Sequence, residues 1–299
     1  MSIAALQLKN RNSLHRQRQK VGLLFSLPAF VLVAAFLGLP IYQAMYYSLT
    51  KWDGITAEWI GPSTYINELK NPIFWRVIEN NALLISAVPV AIILPMGIAY
   101  MLNNKVVGWK FFRTVYFLPT AISWVVIGMV SLRFFAQEGL LNDILKGFGL
   151  GFISTDLLSS EKGALFAVGI TFIWSMVGTN CIIFLTGMAT LDISLNEAAR
   201  MDGAGSFRIF RSISLPQLKR FIQFSFVITI ITAFTALFSL IFVMTGGGPG
   251  FGTTTLEFFV YQSAFSRGNF GTGAMLGVIL FIIMASLGSA QLILLRNRD

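Results

Sequence analysis

The longest stretches of this chain carry no charge, and they recur six times. No Lys, Arg, Asp or Glu falls between Val21 and Ser48, Ala82 and Leu102, Val115 and Leu132, Ala164 and Thr190, Phe221 and Thr245, or Gly271 and Leu295. A helix needs about 20 mostly apolar residues to cross a bilayer. Backbone groups in lipid must bond within their own segment, so runs of this length are expected as helices. Prolines at 28, 40, 89, 95 and 119 lie inside them, where neighbouring helices accommodate kinks. Only 12% of the residues are charged and 55% are hydrophobic, against about 25% charged in a soluble domain. The expected fold class is all-α: a polytopic membrane protein with six transmembrane helices over 21–299, behind a basic tail at 1–20.

The charges set the orientation. The tail, the second and fourth connections and the C-terminus sum to +11, and the other side sums to −2. Lys and Arg collect on the cytoplasmic side of membrane proteins, so both termini are expected in the cytoplasm. The overall +9 is therefore a topology signal and not a nucleic-acid footprint. The basic residues of the tail can lie on anionic lipid headgroups. The first apolar run exceeds the 7–15 residues of a signal-peptide core and reads as a retained helix.

Several chemistries are excluded. The chain has one histidine, His15, and one cysteine, Cys181. They cannot build a conventional zinc site, and no Ser/His/Asp or Cys/His catalytic set is available in the spans. No catalytic residue and no metal ligand is assigned. There is no G-x-x-x-x-G-K-[ST] and no Gly-Lys dipeptide, so the chain supplies no Walker-type phosphate cradle.

One polar insert separates the fourth and fifth runs: "SLNEAARMDGAGSFRIFRSISLPQLKR", from Ser194. Ser194 and Glu197 have the S-x-x-E spacing of a capping box. A short helix is expected through Ala198, Ala199, Arg200 and Met201. Gly203 and Gly205 then break it, and Ser206 caps a second helix. Phe207, Phe210 and Ile213 share one face of that second helix, which Leu215-Pro216 ends. The product is a helix–Gly–helix elbow over 194–216 on the cytoplasmic side. Physically it fits equally a capped re-entry turn or a docking knob for a cytoplasmic partner.

"EAARMDGAGSFRIFRSISLP" resembles the EAA motif of permease subunits of binding-protein-dependent ABC importers. Glu197, Ala198, Ala199, Asp202, Gly203, Ala204, Phe210, Ile213, Leu215 and Pro216 stand at the pattern's positions. "LPAFVLVAAFLGLPIYQAMYYSLTKWDG", "NPIFWRVIENNALL", "FFRTVYFLPTAIS" and "TGGGPGFGTTTLEFFVYQSAF" are similar to the carbohydrate-uptake branch, of the first maltose and glycerol-phosphate permease type. The resemblance implies that the elbow is a coupling helix seated on an ATPase, with Phe207 beside the motif residues. It implies a second homologous permease, two copies of an ABC ATPase that bind the ATP and Mg, and an extracytoplasmic solute-binding protein delivering a sugar. This chain itself would hold no cofactor, would not be an enzyme, and would sit in the plasma (inner) membrane of a prokaryote. It lacks the large external insertion of the maltose subunit.

Polar residues inside the runs are the remaining candidates. Ser225, Thr229, Thr232, Ala236 and Ser239 form one narrow stripe on the fifth run. Thr171, Ser175, Gly178 and Thr179 form another on the fourth, with Asn180 beside it. Neutral hydroxyls suit a sugar path, and small and hydroxyl residues equally suit helix packing. Trp174 fits sugar stacking or the core. Gly273 and Gly277 make a GxxxG. The alternative function is a secondary transporter or channel subunit not driven by ATP. Such carriers often hold an acid or histidine inside the membrane, and these runs hold none.

Overall fold

The computed structural model describes residues 21–104, 106–151 and 156–296. The basic tail, Lys105 and the last three residues, which entered the orientation argument, lie outside them, as does His15. Six helical runs are long and apolar enough to span a bilayer: Val21–Tyr47, Pro72–Asn103, Trp124–Gly147, Glu161–Ala189, Lys219–Met244 and Phe270–Gln291. In chain order the helices are α1 (Val21–Tyr47), α2 (Ser63–Leu69), α3 (Pro72–Ile85), α4 (Val88–Asn103), α5 (Trp109–Phe117), α6 (Trp124–Phe135), α7 (Leu140–Gly147), α8 (Glu161–Ala189), α9 (Ile193–Met201), α10 (Ser206–Ile209), α11 (Lys219–Met244), α12 (Leu256–Tyr261) and α13 (Phe270–Arg296).

Prolines decide where the spans bend. A proline has no N–H to give the preceding turn, and its ring crowds the carbonyl four residues back. The second span is accordingly two helices, α3 and α4, jointed at Ser86–Ala87 just before Pro89. It starts at Pro72, ten residues before the apolar run. In α1 the turn Ala34–Gly38 widens to a π-turn immediately before Pro40. The third span departs most from the expectation of one helix over 115–132. Pro119 ends α5 in a short 3-10 turn, Leu118–Ala121. Ser123 then starts α6, its hydroxyl oxygen accepting from the Val126 N–H at 3.4 Å. The spanning run shifts to Trp124–Gly147.

The helices gather around α8, whose most apolar stretch is 61% buried, the highest share of the six. Phe172 and Met176 of α8 pack with Ile127, Leu237 and Leu240, while Cys181 and Phe184 pack with Val88, Ile92 and Ile230. At the sixth span, a side chain at Gly273 would stand 2.7 Å from the Ala264 side chain, whereas Gly277 faces open space. One glycine of the GxxxG therefore serves a contact within the chain, on the segment after α12. In α1 none of the corresponding stretch is buried. Only the end of this helix engages the rest, against α13.

A two-stranded antiparallel ribbon follows α1: β1 (Thr50–Trp52) pairs with β2 (Ala57–Trp59), with Thr50 opposite Trp59. The Asp53 carboxylate closes its turn by accepting from the Ile55 and Thr56 N–H groups at 2.8 and 2.7 Å. Trp52 stacks on Tyr47 at 4.0 Å, which fixes the ribbon to the helix end.

Candidate functional site

The elbow is built from local backbone chemistry. Its first helix, α9, is capped by Asp192, whose carboxylate accepts from the Ser194 N–H at 2.9 Å. Ser194 was expected in this role. Asp192 takes it because the chain turns into the helix two residues earlier, and Glu197 stays exposed instead of closing a capping box. At the other end Gly203 has φ +77°. The Gly203 N–H donates to the Arg200 carbonyl at 3.0 Å and the Ala204 N–H to the Ala199 carbonyl at 2.9 Å. This pair of bonds closes the last turn in the Schellman pattern, which requires a left-handed residue where Gly203 stands. Gly205 is extended and leads into α10 without a side-chain cap, so Ser206 is the first helical residue and not the cap. The helical path then continues past Phe210 as a π-turn and through Pro216, breaking only at Leu218. Leu215-Pro216 therefore does not end the elbow's second helix.

The elbow presents one set of side chains and anchors another. Met201 is 88% exposed, Phe207 73% and Leu195 48%; Glu197, Ala198 and Asp202 are also exposed, and Ala199 and Ala204 half-buried. Phe207 and Phe210 do not act together, although they were expected on one face. The Phe210 ring packs on Tyr100 of α4 at 4.7 Å, and Ile209 is buried. The Tyr100 hydroxyl donates to the Ser206 carbonyl at 2.9 Å. Tyr100 thus fixes the elbow to the second span, a contact with no signature in the sequence.

The polar residues of the spans are brought together in part. Asn180 of α8 is fully buried. Its amide nitrogen donates to the Ala91 carbonyl at 2.7 Å and to the Thr229 hydroxyl at 3.0 Å. Its amide oxygen accepts from the Ser225 hydroxyl at 2.8 Å. Three helices, α4, α8 and α11, meet at this one side chain. Thr171 and Ser175 donate to carbonyls four residues back on their own helix, both at 2.8 Å, and Thr232 does the same on α11. Thr179 is half-buried. Thr171 also lines a largely apolar cleft of about 430 Å³ with Ser131, Phe134 and Trp174.

A second polar group, on the side opposite the elbow, escaped the motif reading. Asn80 of α3 donates to the carbonyls of Phe251 and Thr254 at 2.8 and 2.9 Å. Asn81 accepts from the Leu256 N–H at 2.7 Å and donates to Glu257 at 3.3 Å. Burial pushes the Glu257 carboxyl up to about 7, opposed only by hydrogen bonds from its own backbone, Thr255 and Asn81. The sequence hint was the pair Asn80-Asn81 just ahead of an apolar run. The adjoining Arg76 binds Glu79 and Glu161 at 3.0 and 2.8 Å, joining α3 to the start of α8.

The chain matches the family described as binding-protein-dependent transport system inner membrane component over residues 66–298. It is 33% identical over 278 residues to the sulfoquinovosyl glycerol transport system permease protein SmoG of Agrobacterium fabrum, covering 91% of this chain and 89% of that one. It is 32% identical over 274 residues to the multiple sugar-binding transport system permease protein MsmF of Streptococcus mutans, covering 91% and 93%. A chain of a bacterial ABC transporter involved in alginate import has the same fold, with a TM-score of 0.80 at 20% identity over 96% of this chain and 99% of that chain. The family match takes in the elbow and every span after the first, and the chain belongs to the family of membrane-embedded permease components of binding-protein-dependent ABC transporters.

Proposed function

We propose that the chain is one half of the membrane path of a sugar importer, completed by a second, homologous permease. A pair of ATPase subunits would sit below it and a solute-binding protein above. The proteins named for SmoG, MsmF and the alginate importer all handle carbohydrate, and a neighbouring solved structure includes a periplasmic protein loaded with an alginate pentasaccharide. Those names support a sugar or related solute as the cargo here.

The observation that carries the reading is the elbow. Leu195, Met201 and Phe207 expose large apolar surface on the side that the charge balance assigns to the cytoplasm. Exposed apolar clusters in water mark docking sites. The Tyr100 and Phe210 contacts tie this knob to α4, so a push from a docked ATPase passes into the second span. With this orientation both termini lie in the cytoplasm.

The experiment replaces Gly203 with valine. The left-handed backbone there strains a β-branched side chain by roughly 1–3 kcal/mol, enough to open the turn and too little to unfold the bundle. Gly203→Val and, separately, Glu197→Ala are expected to insert and fold normally. Both are expected to lose co-purifying ATPase or solute-stimulated ATP hydrolysis in proteoliposomes. Wild-type levels of both readouts in Gly203→Val would overturn the coupling role.

A further inference from the structure

We propose that the cleft between α3–α4 and α8 is a binding site for one phospholipid with a zwitterionic, primary-amine headgroup, phosphatidylethanolamine in chemical class. The cleft encloses about 550 Å³. Its walls are apolar: Leu83, Val90, Leu165, Phe166, Ile170 and Ile173. Phe166, Leu83 and Val90 are exposed on the flank of the bundle. One end alone is charged, by Arg76, Glu79, Glu161 and Lys162.

The length fits a lipid. Ile170 and Ile173 also line the next cleft, of about 420 Å³, which continues along α8 to Val177 between Leu94 and Val115. From Lys162 to Val177 the helix rises about 22 Å at 1.5 Å per residue. A single leaflet with its headgroups measures half of the roughly 40–45 Å bilayer. The trough therefore begins at headgroup depth and ends near the bilayer centre, as an acyl chain does.

The charges select the headgroup. Arg76 donates to one oxygen of Glu79 and one of Glu161. Among the described residues the second oxygen of each carboxylate accepts no hydrogen bond, and Lys162 has no hydrogen bond or ion pair. The rim thus offers a free ammonium beside free carboxylate acceptors, with no net charge. A phosphate accepts from Lys162, and a primary ammonium donates to the carboxylates; such charge-assisted bonds are the strong ones. A choline headgroup has no N–H to donate. An anionic headgroup would bring a net negative charge beside two carboxylates.

The test places a photoreactive benzophenone amino acid at Phe166 in the full-length chain, purified with the subunits that co-purify. The complex is put in nanodiscs of equal parts dioleoyl phosphatidylethanolamine, phosphatidylglycerol and phosphatidylcholine, irradiated, and weighed by intact mass spectrometry. The expected adduct is a single phospholipid, with the ethanolamine lipid at least fivefold over each of the others. Lys162→Gln removes an exposed charge that holds no partner among the described residues, so folding is not at issue. That variant, and Glu79→Gln, are each expected to cut the preference at least fivefold. Equal labelling by the three lipids overturns the proposal, as does a preference unchanged in both variants. Cross-linking to a permease polypeptide also overturns it, by showing that a protein helix fills the trough.

Discussion

At the scale of single residues, Asn180 and Glu257 show what a buried polar group does in this bundle. Asn180 satisfies a carbonyl and two hydroxyls from two other helices. Interhelical hydrogen bonds in membranes average about 0.6 kcal/mol and reach about 1.7, and Asn180→Ala removes several while orphaning their partners. We expect Asn180→Ala to lower stability by about 1–3 kcal/mol, measured as a fall in the melting temperature of the purified protein. Unchanged melting would mean that water replaces the amide, and the site would then be wet. Glu257 makes the opposite kind of prediction. Its pKa is raised by burial to about 7, so the neutral acid is favoured in the folded state. Its folded-state penalty is absent below the ordinary carboxyl value and grows as pH rises towards 7, reaching about 3 kcal/mol at most. Wild type should therefore lose stability between pH 5 and pH 8 relative to Glu257→Gln. Parallel melting curves for the two proteins across that range would show that Glu257 reaches water. The hydroxyl stripe that contains Thr229 was readable from spacing alone. Its role was not, because Ser225 and Thr229 bond the Asn180 side chain on another helix, which itself reaches a backbone carbonyl at Ala91, and any residue has one. Glu257 was readable as lying outside the apolar runs, while its burial depends on how α12 folds back against α3.

At the scale of elements, the sequence located six spans because charge-free runs of that length admit few other structures. It misplaced the third because a hydropathy count cannot see that Pro119 ends one helix and Ser123 opens another. The elbow was legible from its glycine and its motif, down to the turn at Gly203. Two capping residues were available, Asp192 and Ser194, and only the tertiary approach of the chain chose between them. What the sequence did not carry is the mounting. Tyr100→Phe deletes one hydroxyl, the donor to the Ser206 carbonyl, and keeps the ring against Phe210. A hydrogen bond of this kind contributes about 0.5–1.5 kcal/mol net, so melting should barely move. Solute-stimulated ATP hydrolysis should fall severalfold if the second span receives the elbow's motion through this contact. Full stimulation in Tyr100→Phe would assign the transmission to another span.

At the scale of the whole molecule, the proposed orientation puts the elbow in the cytoplasm and the ribbon outside. Cysteines introduced as Met201→Cys and Ile55→Cys test this, since Met201 is 88% and Ile55 92% exposed, while Cys181 is buried and silent. An impermeant thiol reagent added outside intact cells should label position 55 and spare 201; the reverse pattern would invert the topology. The unburied first helix has a different implication. A helix in lipid already satisfies its own backbone, so α1 can insert and persist before anything packs beside it. What it lacks is lateral company, and whatever supplies that company stabilises the chain by mass action. If the proposed second permease packs there, the apparent stability of this subunit becomes a function of how much of that counterpart is made. A surplus copy, inserted with the most apolar stretch of α1 unburied, would be the form that membrane quality control encounters first, and α1 would make subunit stoichiometry visible to the cell.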